Sequence, residues 1–493
     1  SDMPLPKNLG ELRKSGYTPR TVKEELRDNL LKNLKAGHNP FPGIHGYEHT
    51  VIPQLERAVL AGHNLNFLGL RGQAKTRMAR LLINLLDEYV PVIQGSDLNE
   101  DPLAPITEIS KKLCADLGDE LPITWWHRND RYTEKLATPD VTVADLIGDL
   151  DPVKASNLRL SFSDPAVIHF GLVPRANRGI FVINELPDLQ ARIQVALLNI
   201  LQEGDIQIRG FKMRLPLDMQ FVFTANPEDY THRGSIITPL KDRIESQILT
   251  HYPHSIAISR LITDQEAHIK PDTAEKIRVP ELVKDILEQI AVEGRRSEYV
   301  DAKSGVSARL TITARELAVT TTEWRMLRND EKTGSVRVTD LLGIIPAVNG
   351  KVELVYEGDR EGPAKVAQHL LGKAVKALFP TWFPNPERIK RKKEENPYRS
   401  IIDWFGSGNM LELTASTSEK EYRHLLYEIP GLDDCVKKFH PKANTEETLL
   451  LMEFLLFGLS EYSLLSRHTD QDDVAFRDIL GAMLDGNSDE EEY

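Results

Sequence analysis

Asn64-Leu65-Asn66-Phe67-Leu68-Gly69-Leu70-Arg71-Gly72-Gln73-Ala74-Lys75-Thr76 is the stretch that decides the fold. Its first five residues read as a short buried strand. The next eight form a tight, glycine-containing loop that ends in a lysine and a hydroxyl. Beyond it, Met78, Leu81, Leu82, Leu85 and Leu86 recur at three- and four-residue spacing, the pattern of an amphipathic helix. Strand, loop and helix in that order make a phosphate cradle. Main-chain N–H groups of the loop and of the helix start converge on one point and favour an anion there. On this reading Gly69, Gly72, Gln73, Ala74, Lys75 and Thr76 line the phosphate tail of a nucleotide. Lys75 reaches the β- and γ-phosphates, and the Thr76 hydroxyl ligates Mg²⁺. Ala74 stands where the general pattern has glycine, which leaves less backbone freedom and adds one methyl group.

Two further strands carry the rest of the chemistry. Gly179-Ile180-Phe181-Val182-Ile183-Asn184-Glu185 is a β-rich apolar run ending in two polar residues, as buried strands of α/β sheets do. Ligands collect at the carboxyl ends of such strands. Asn184 takes the metal-side position where an aspartate is usual. Its amide accepts a hydrogen bond but brings no charge to a hard cation. Glu185 stands as the general base that polarises the attacking water. Phe221-Val222-Phe223-Thr224-Ala225-Asn226-Pro227 is another apolar strand, and Asn226 is expected beside Glu185, helping to position that water. Leu240-Lys241-Asp242-Arg243 follows Pro239. Arg243 displayed there can reach the γ-phosphate of a neighbouring subunit and stabilise transition-state charge. Its bland alternative is a surface ion pair with Asp242.

With these elements in order, the chain resembles the AAA+ ATPases of the helix-2-insert group, of which MoxR proteins and the magnesium-chelatase ATPase subunit are members. Phe170-Gly171-Leu172-Val173-Pro174-Arg175-Ala176-Asn177-Arg178-Gly179 is similar to the chelatase lead into the Walker B strand. Thr224 to Asp229 and Leu240 to Arg243 match the same group. MoxR proteins often carry alanine before the Walker lysine, and Ile183-Asn184-Glu185-Leu186-Pro187-Asp188-Leu189 resembles long chelatase-like proteins, which makes Asn184 a family variant.

The resemblance covers roughly residues 40 to 325. It implies an α/β fold: an AAA+ P-loop NTPase domain with a mainly parallel sheet over 41–253, and a helical lid over 254–330. An N-terminal helical extension (1–40), a mostly helical C-terminal domain (331–485) and an acidic tail (486–493) complete the expected organisation. It further implies that Ile44 and His45, in Ile44-His45-Gly46, line the adenine pocket; a metal pair of His45 and His49 lacks a third ligand. The segment from Asp151 to Phe170 corresponds to the helix-2 insert, and Asp205 to Leu215 to a pre-sensor β-hairpin. Arg309 and Arg315 compete for the lid's sensor position. ATP and Mg²⁺ are the implied cofactors. The implied partners are copies of the same chain in a ring, six being the expected number, and a protein with a von Willebrand factor A domain.

Composition bounds the alternatives. At 493 residues the chain exceeds one ordinary core, and 41% hydrophobic and 27% charged residues are ordinary for a soluble globular protein. A net charge of −13 argues against a nucleic-acid or anionic-membrane role. Two cysteines far apart, Cys114 and Cys435, fit a reducing compartment, and with no signal-peptide pattern a cytoplasmic protein is expected. Ser1-Asp2 ahead of Met3 reads as a cloning remnant. The apolar run Leu449 to Leu459 is too short to span a bilayer and contains Glu453.

Residues 326–493 carry no catalytic signature. Gly350 to Tyr356 alternates like a half-exposed strand; Val366 to Phe379 and Glu446 to Leu465 read as helices, the second capped by Asn444. Trp125-Trp126 reads as core. The basic run Arg388 to Lys393 reads as a solvated face, and Asp489 to Glu492 as a disordered end. No GAFTGA-like loop and no helix-turn-helix appear, which argues against an enhancer-binding activator. A nucleotide-gated scaffold with little turnover and a true magnesium-chelatase subunit remain the alternative functions.

Overall fold

The structure is a computed structural model that describes residues 4–70, 72–151, 153, 156, 168–206, 208, 214–226, 235–300, 306, 309–352, 354–355, 362–389, 396–470 and 473–489. The chain divides into two compact units, residues 1–252 and 253–493.

The first unit is built on five parallel strands: β1 (Leu65–Leu68), β2 (Tyr132–Leu136), β3 (Gly179–Asn184), β4 (Met219–Ala225) and β5 (Ser246–Leu249), in the order β5-β1-β4-β3-β2. Alternation along these strands sorts their side chains into two layers. Ile180, Val182 and Val222 join Leu65, Phe67 and Met78 on one face. Phe181, Ile183, Phe221, Phe223 and Ala225 face Ile193, Leu197 and Leu240 on the other. Leu68 pairs with both Ala225 and Leu249, so the carboxyl ends of β1, β4 and β5 lie on one edge. The helix expected after the phosphate loop runs from Lys75 to Leu81 and tightens into a 3₁₀ turn over Leu82–Leu85; Met78, Leu82, Leu85 and Leu86 are buried.

The stretch read as an N-terminal extension is part of this unit's core. Val22, Leu26 and Leu30 of helix Val22–Ala36 pack with Leu65 and Phe67, and Leu9 and Leu12 pack with Ile93 and Ile123. Buried Glu25 of the same helix receives both guanidinium arms of Arg131, at 2.7 and 3.0 Å. Trp125 leans on the Leu9 cluster, and its indole N–H donates to the Pro6 carbonyl at 2.8 Å. Around the segment read as the helix-2 insert, Gly148–Leu150 pairs antiparallel with Ile168–Phe170; residues 152, 154–155 and 157–167 lie outside the described residues. In the segment read as a pre-sensor hairpin, Asp205–Ile206 pairs antiparallel with Leu215–Pro216; residues 207 and 209–213 lie outside the described residues.

In the second unit the segments read as lid and C-terminal domain share one core. Ile286 and Leu310 belong to the same buried cluster as Leu370 and Phe454, with no seam in packing at residue 330. Two sequence readings are corrected here. Gly350 and Lys351, read as the start of a strand, end the helix Ile345–Lys351: Pro346 sits in its first turn, and Ala347 and Val348 are buried in the core. The alternation that follows makes two isolated bridges, Val352 with Val306 and Leu354 with Val300. The helix expected to reach Leu465 runs from Thr445 to Glu461. The chain then turns through Ser463, at φ 60°, and enters a strand over Ser466–Asp470. Asn444 caps this helix, accepting from the Glu447 N–H at 2.9 Å. The helix read over Val366–Phe379 spans Pro363–Trp382. Residues 390–393 of the basic run and 490–492 of the acidic end lie outside the described residues. Among the described residues no helix is long and apolar enough to cross a membrane, and Cys114 and Cys435 are free thiols.

Candidate nucleotide site

The phosphate loop is shaped from beneath by β5. A β-carbon at Gly69 would lie 1.7 Å from Thr250 Oγ1 and 2.4 Å from Gln73 Oε1, so this position excludes any larger residue. Gln73 Oε1 accepts from the Leu70 N–H at 3.0 Å and from the Thr250 hydroxyl at 2.7 Å, closing the loop on itself. The Gly69 N–H donates to the Ala225 carbonyl at 3.0 Å, which ties the loop to the end of β4. Gly72 and Ala74 both take left-handed backbone angles, φ 74° and 64°. Lys75 is 7% exposed, and its ammonium donates to the Gly69 carbonyl and to the Ala225 carbonyl at 3.3 Å. Lys75 therefore lies across the hollow of the loop.

Tyr47 joins the expected adenine segment to this loop. Its hydroxyl donates to the Gln73 carbonyl at 2.8 Å and lies against the His251 carbonyl; its ring meets the His251 ring edge-on at 4.7 Å. Ile44 is buried and His45 half-buried on the turns before helix Val51–Ala61. Sequence reading passed over Tyr47 and Thr250. Neither sits in a motif, and only the fold brings them to Gln73.

The metal side gathers Thr76, Asn184 and Thr224. The Thr76 hydroxyl donates to Asn184 Oδ1 at 3.4 Å and the Thr224 hydroxyl to the same oxygen at 3.1 Å. Glu185 follows in a left-handed conformation, φ 58° and ψ 50°, and its N–H donates to Thr224 Oγ1 at 3.2 Å. Asn226 is buried just beyond the end of β4. Among the described residues no cluster of three or more His, Cys, Asp or Glu side chains could hold a metal ion. A hydroxyl and an amide oxygen side by side nevertheless suit Mg²⁺, which keeps several waters and takes most of its charge from substrate phosphates.

Arg243 ends helix Thr238–Arg243 with its side chain exposed, and it makes no ion pair with Asp242. The two sensor candidates lie in the second unit. Arg309 is exposed at the start of helix Arg309–Arg328. Arg315 is 4% exposed and pairs with Asp264, while its Nε and Nη2 meet no hydrogen-bond partner. The Asn177 and Arg178 of the chelatase-like lead are framework. Asn177 bridges the Leu98 carbonyl, at 2.7 Å, and the Asp218 N–H, at 2.8 Å. Arg178 donates to the carbonyls of Pro91 and Asn99 at 2.7 and 3.0 Å.

A parallel sheet in the order β5-β1-β4-β3-β2, with a phosphate loop after β1 and polar residues at the carboxyl ends of β3 and β4, is the α/β fold of an AAA+-type P-loop domain. Comparison with known proteins agrees with that class. The family model of the sigma-54 interaction domain matches residues 159–248. The chain is similar to the magnesium-chelatase 38 kDa subunit of Cereibacter sphaeroides, 25% identical over 239 residues, 46% of this chain and 64% of the relative. It is similar to the hydrogenase transcriptional regulatory protein HoxA of Cupriavidus necator, 32% identical over 87 residues, 17% of this chain and 18% of the relative. It is also similar to the competence protein ComM of Haemophilus influenzae, 24% identical over 265 residues, 50% of this chain and 44% of the relative. The matches thus span less than two thirds of each relative's own length.

Proposed function

We propose that the protein is an ATP hydrolase that works as a homo-oligomeric ring and remodels a partner protein. The observation that carries this reading is the convergence of Lys75, Thr76, Asn184, Glu185 and Asn226 at the carboxyl ends of adjacent parallel strands. The loop amides and Lys75 hold the triphosphate, with Lys75 leaving its carbonyl partners as the phosphates arrive. Mg²⁺, when bound beside Thr76 and Asn184, neutralises charge on the β- and γ-phosphate oxygens. Glu185 takes the proton of the attacking water, Asn226 helps to orient that water, and Arg243 acts from the neighbouring protomer. Ile44 and His45 flank the base. Of the sensor candidates, Arg315 is favoured over Arg309, because its guanidinium is buried with donors to spare. The likeness to a magnesium-chelatase subunit supports a task in metal insertion or complex maturation; a von Willebrand factor A-domain protein as partner follows from the family resemblance of the sequence motifs alone.

One observation favours a second reading, a nucleotide-gated scaffold with little turnover. Asn184 leaves the metal side without a carboxylate next to Thr76. Steady-state hydrolysis of Mg-ATP by wild type and Glu185→Gln separates the two. The enzyme reading expects turnover that falls about 100-fold or more in the variant, the usual weight of a general base. Equal rates in the two proteins contradict it.

A further inference from the structure

Thr224 is 1% exposed near the carboxyl end of the apolar strand β4, between buried Phe223 and Ala225. A hydroxyl in such a place is costly unless it is bonded. Thr224 has two partners, both at the hydrolytic centre: it accepts from the Glu185 N–H at 3.2 Å and donates to Asn184 Oδ1 at 3.1 Å. The Thr76 hydroxyl donates to that same amide oxygen at 3.4 Å. The left-handed backbone at Glu185 is unfavourable for any residue but glycine. Its amide donates to this side chain of β4.

The substitution of an amide for a carboxylate at position 184 gives the arrangement its purpose. An aspartate would present two equivalent oxygens, and either could face Thr76. An asparagine has one acceptor and one donor end, so a turn of the amide would set N–H groups against the metal side. A donor of fixed direction is needed to keep the oxygen in place.

We propose that Thr224 is a positioning residue, whose hydroxyl locks the turn that presents Glu185 and pins the Asn184 oxygen toward Thr76. This rests on the hydrolytic reading of the site for its effect on turnover, but not for its effect on Mg²⁺. The test compares Thr224→Val, close in shape but without the hydroxyl, with Thr224→Ser, which keeps it. Readouts are kcat and KM for ATP, the Mg²⁺ concentration that half-saturates Mg²⁺-dependent ATP binding, and the unfolding midpoint.

Thr224→Val is expected to lower kcat by about 10- to 100-fold, as small misplacements of reacting groups do, with KM within about threefold. It is also expected to raise the Mg²⁺ requirement several-fold. Thr224→Ser restores both, and Asn184→Asp added to Thr224→Val restores the Mg²⁺ requirement alone. Wild-type values of kcat and Mg²⁺ requirement in Thr224→Val would overturn the proposal. So would equal losses in the Val and Ser variants accompanied by a lower unfolding midpoint, since that is the mark of packing alone. Should Thr224→Val not fold, Thr224→Ala is read in the same way. If wild type hydrolyses no ATP, the hydrolytic reading fails on its own. The Mg²⁺ requirement then decides on Thr224, an unchanged value in the variant overturning its role.

Discussion

Ala74 holds φ 64° and ψ 19° in the residue before Lys75, where the loop passes into its helix. An L-residue in that region carries roughly 1–2 kcal/mol of strain, whereas glycine adopts it freely. Ala74→Gly is therefore expected to raise stability by about 0.5–1 kcal/mol, the strain relief being partly offset by the greater freedom of glycine in the unfolded chain. Urea denaturation checks this, and a lower midpoint would contradict it. Lys75, Thr76, Asn184 and Glu185 were legible in the sequence because each is fixed locally, by a strand–loop–helix pattern or by the end of an apolar run. Tyr47, Thr224 and Thr250 were not. Their side chains reach Gln73 or Asn184 only through the pairing of distant strands and turns; Thr224 stands in a stretch matched to the chelatase group, but nothing local marks what its hydroxyl binds. Asn177 and Arg178 were legible as a motif but not as framework; their role appears only in the carbonyls they bind.

At the scale of elements, β3 and β4 were legible as continuous apolar runs, because both faces of this sheet are covered; which side chain joins which layer appears only in the structure. Period-2 alternation, used for residues 350–356, misled: among the described residues of that stretch Val352 and Leu354 make single bridges and not a paired strand. Helix Thr445–Glu461 raises a different point. Its Glu453 is fully buried and accepts from the Val338 N–H and from the Thr339 hydroxyl, at 2.5 and 2.8 Å. Burial pushes the Glu453 carboxyl up to about 7, against the pull of these donors and of the Arg337 charge. A carboxyl raised on folding binds its proton more tightly in the folded state. Its contribution to stability is fully present below the ordinary glutamate range and is lost as pH rises toward 7. Wild type should lose stability relative to Glu453→Gln across that window, by up to about 1.4 kcal/mol per pH unit. Denaturation curves of the two proteins from pH 4.5 to 7.5 measure the difference. Parallel pH dependence would show that Glu453 does not titrate in this way.

For the whole molecule, the chain divides into two compact units after Tyr252, and the sequence reading sets the change from α/β alternation to helices after residue 253. The shared core of residues 277–476 was not legible, since long-range packing between helices leaves no period in the sequence. Exposed Arg243 carries the claim that the working unit is larger than one chain. Arg243→Ala is expected to lower hydrolysis by about 1,000-fold while ATP affinity stays within about threefold, as for an arginine supplied in trans. Mixing it with Glu185→Gln should regain turnover that neither has alone; a mixture as inactive as its components would place Arg243 outside the reaction. All of this depends on the loop from Gly69 to Thr76 holding a triphosphate. The most direct measurement is a calorimetric titration of the purified chain with ATP beside Lys75→Ala. The account predicts one site per chain in wild type and an affinity at least about 100-fold weaker in the variant, corresponding to about 3 kcal/mol. No binding heat from wild type at any ATP concentration tested, or equal affinity in the two proteins, would contradict it.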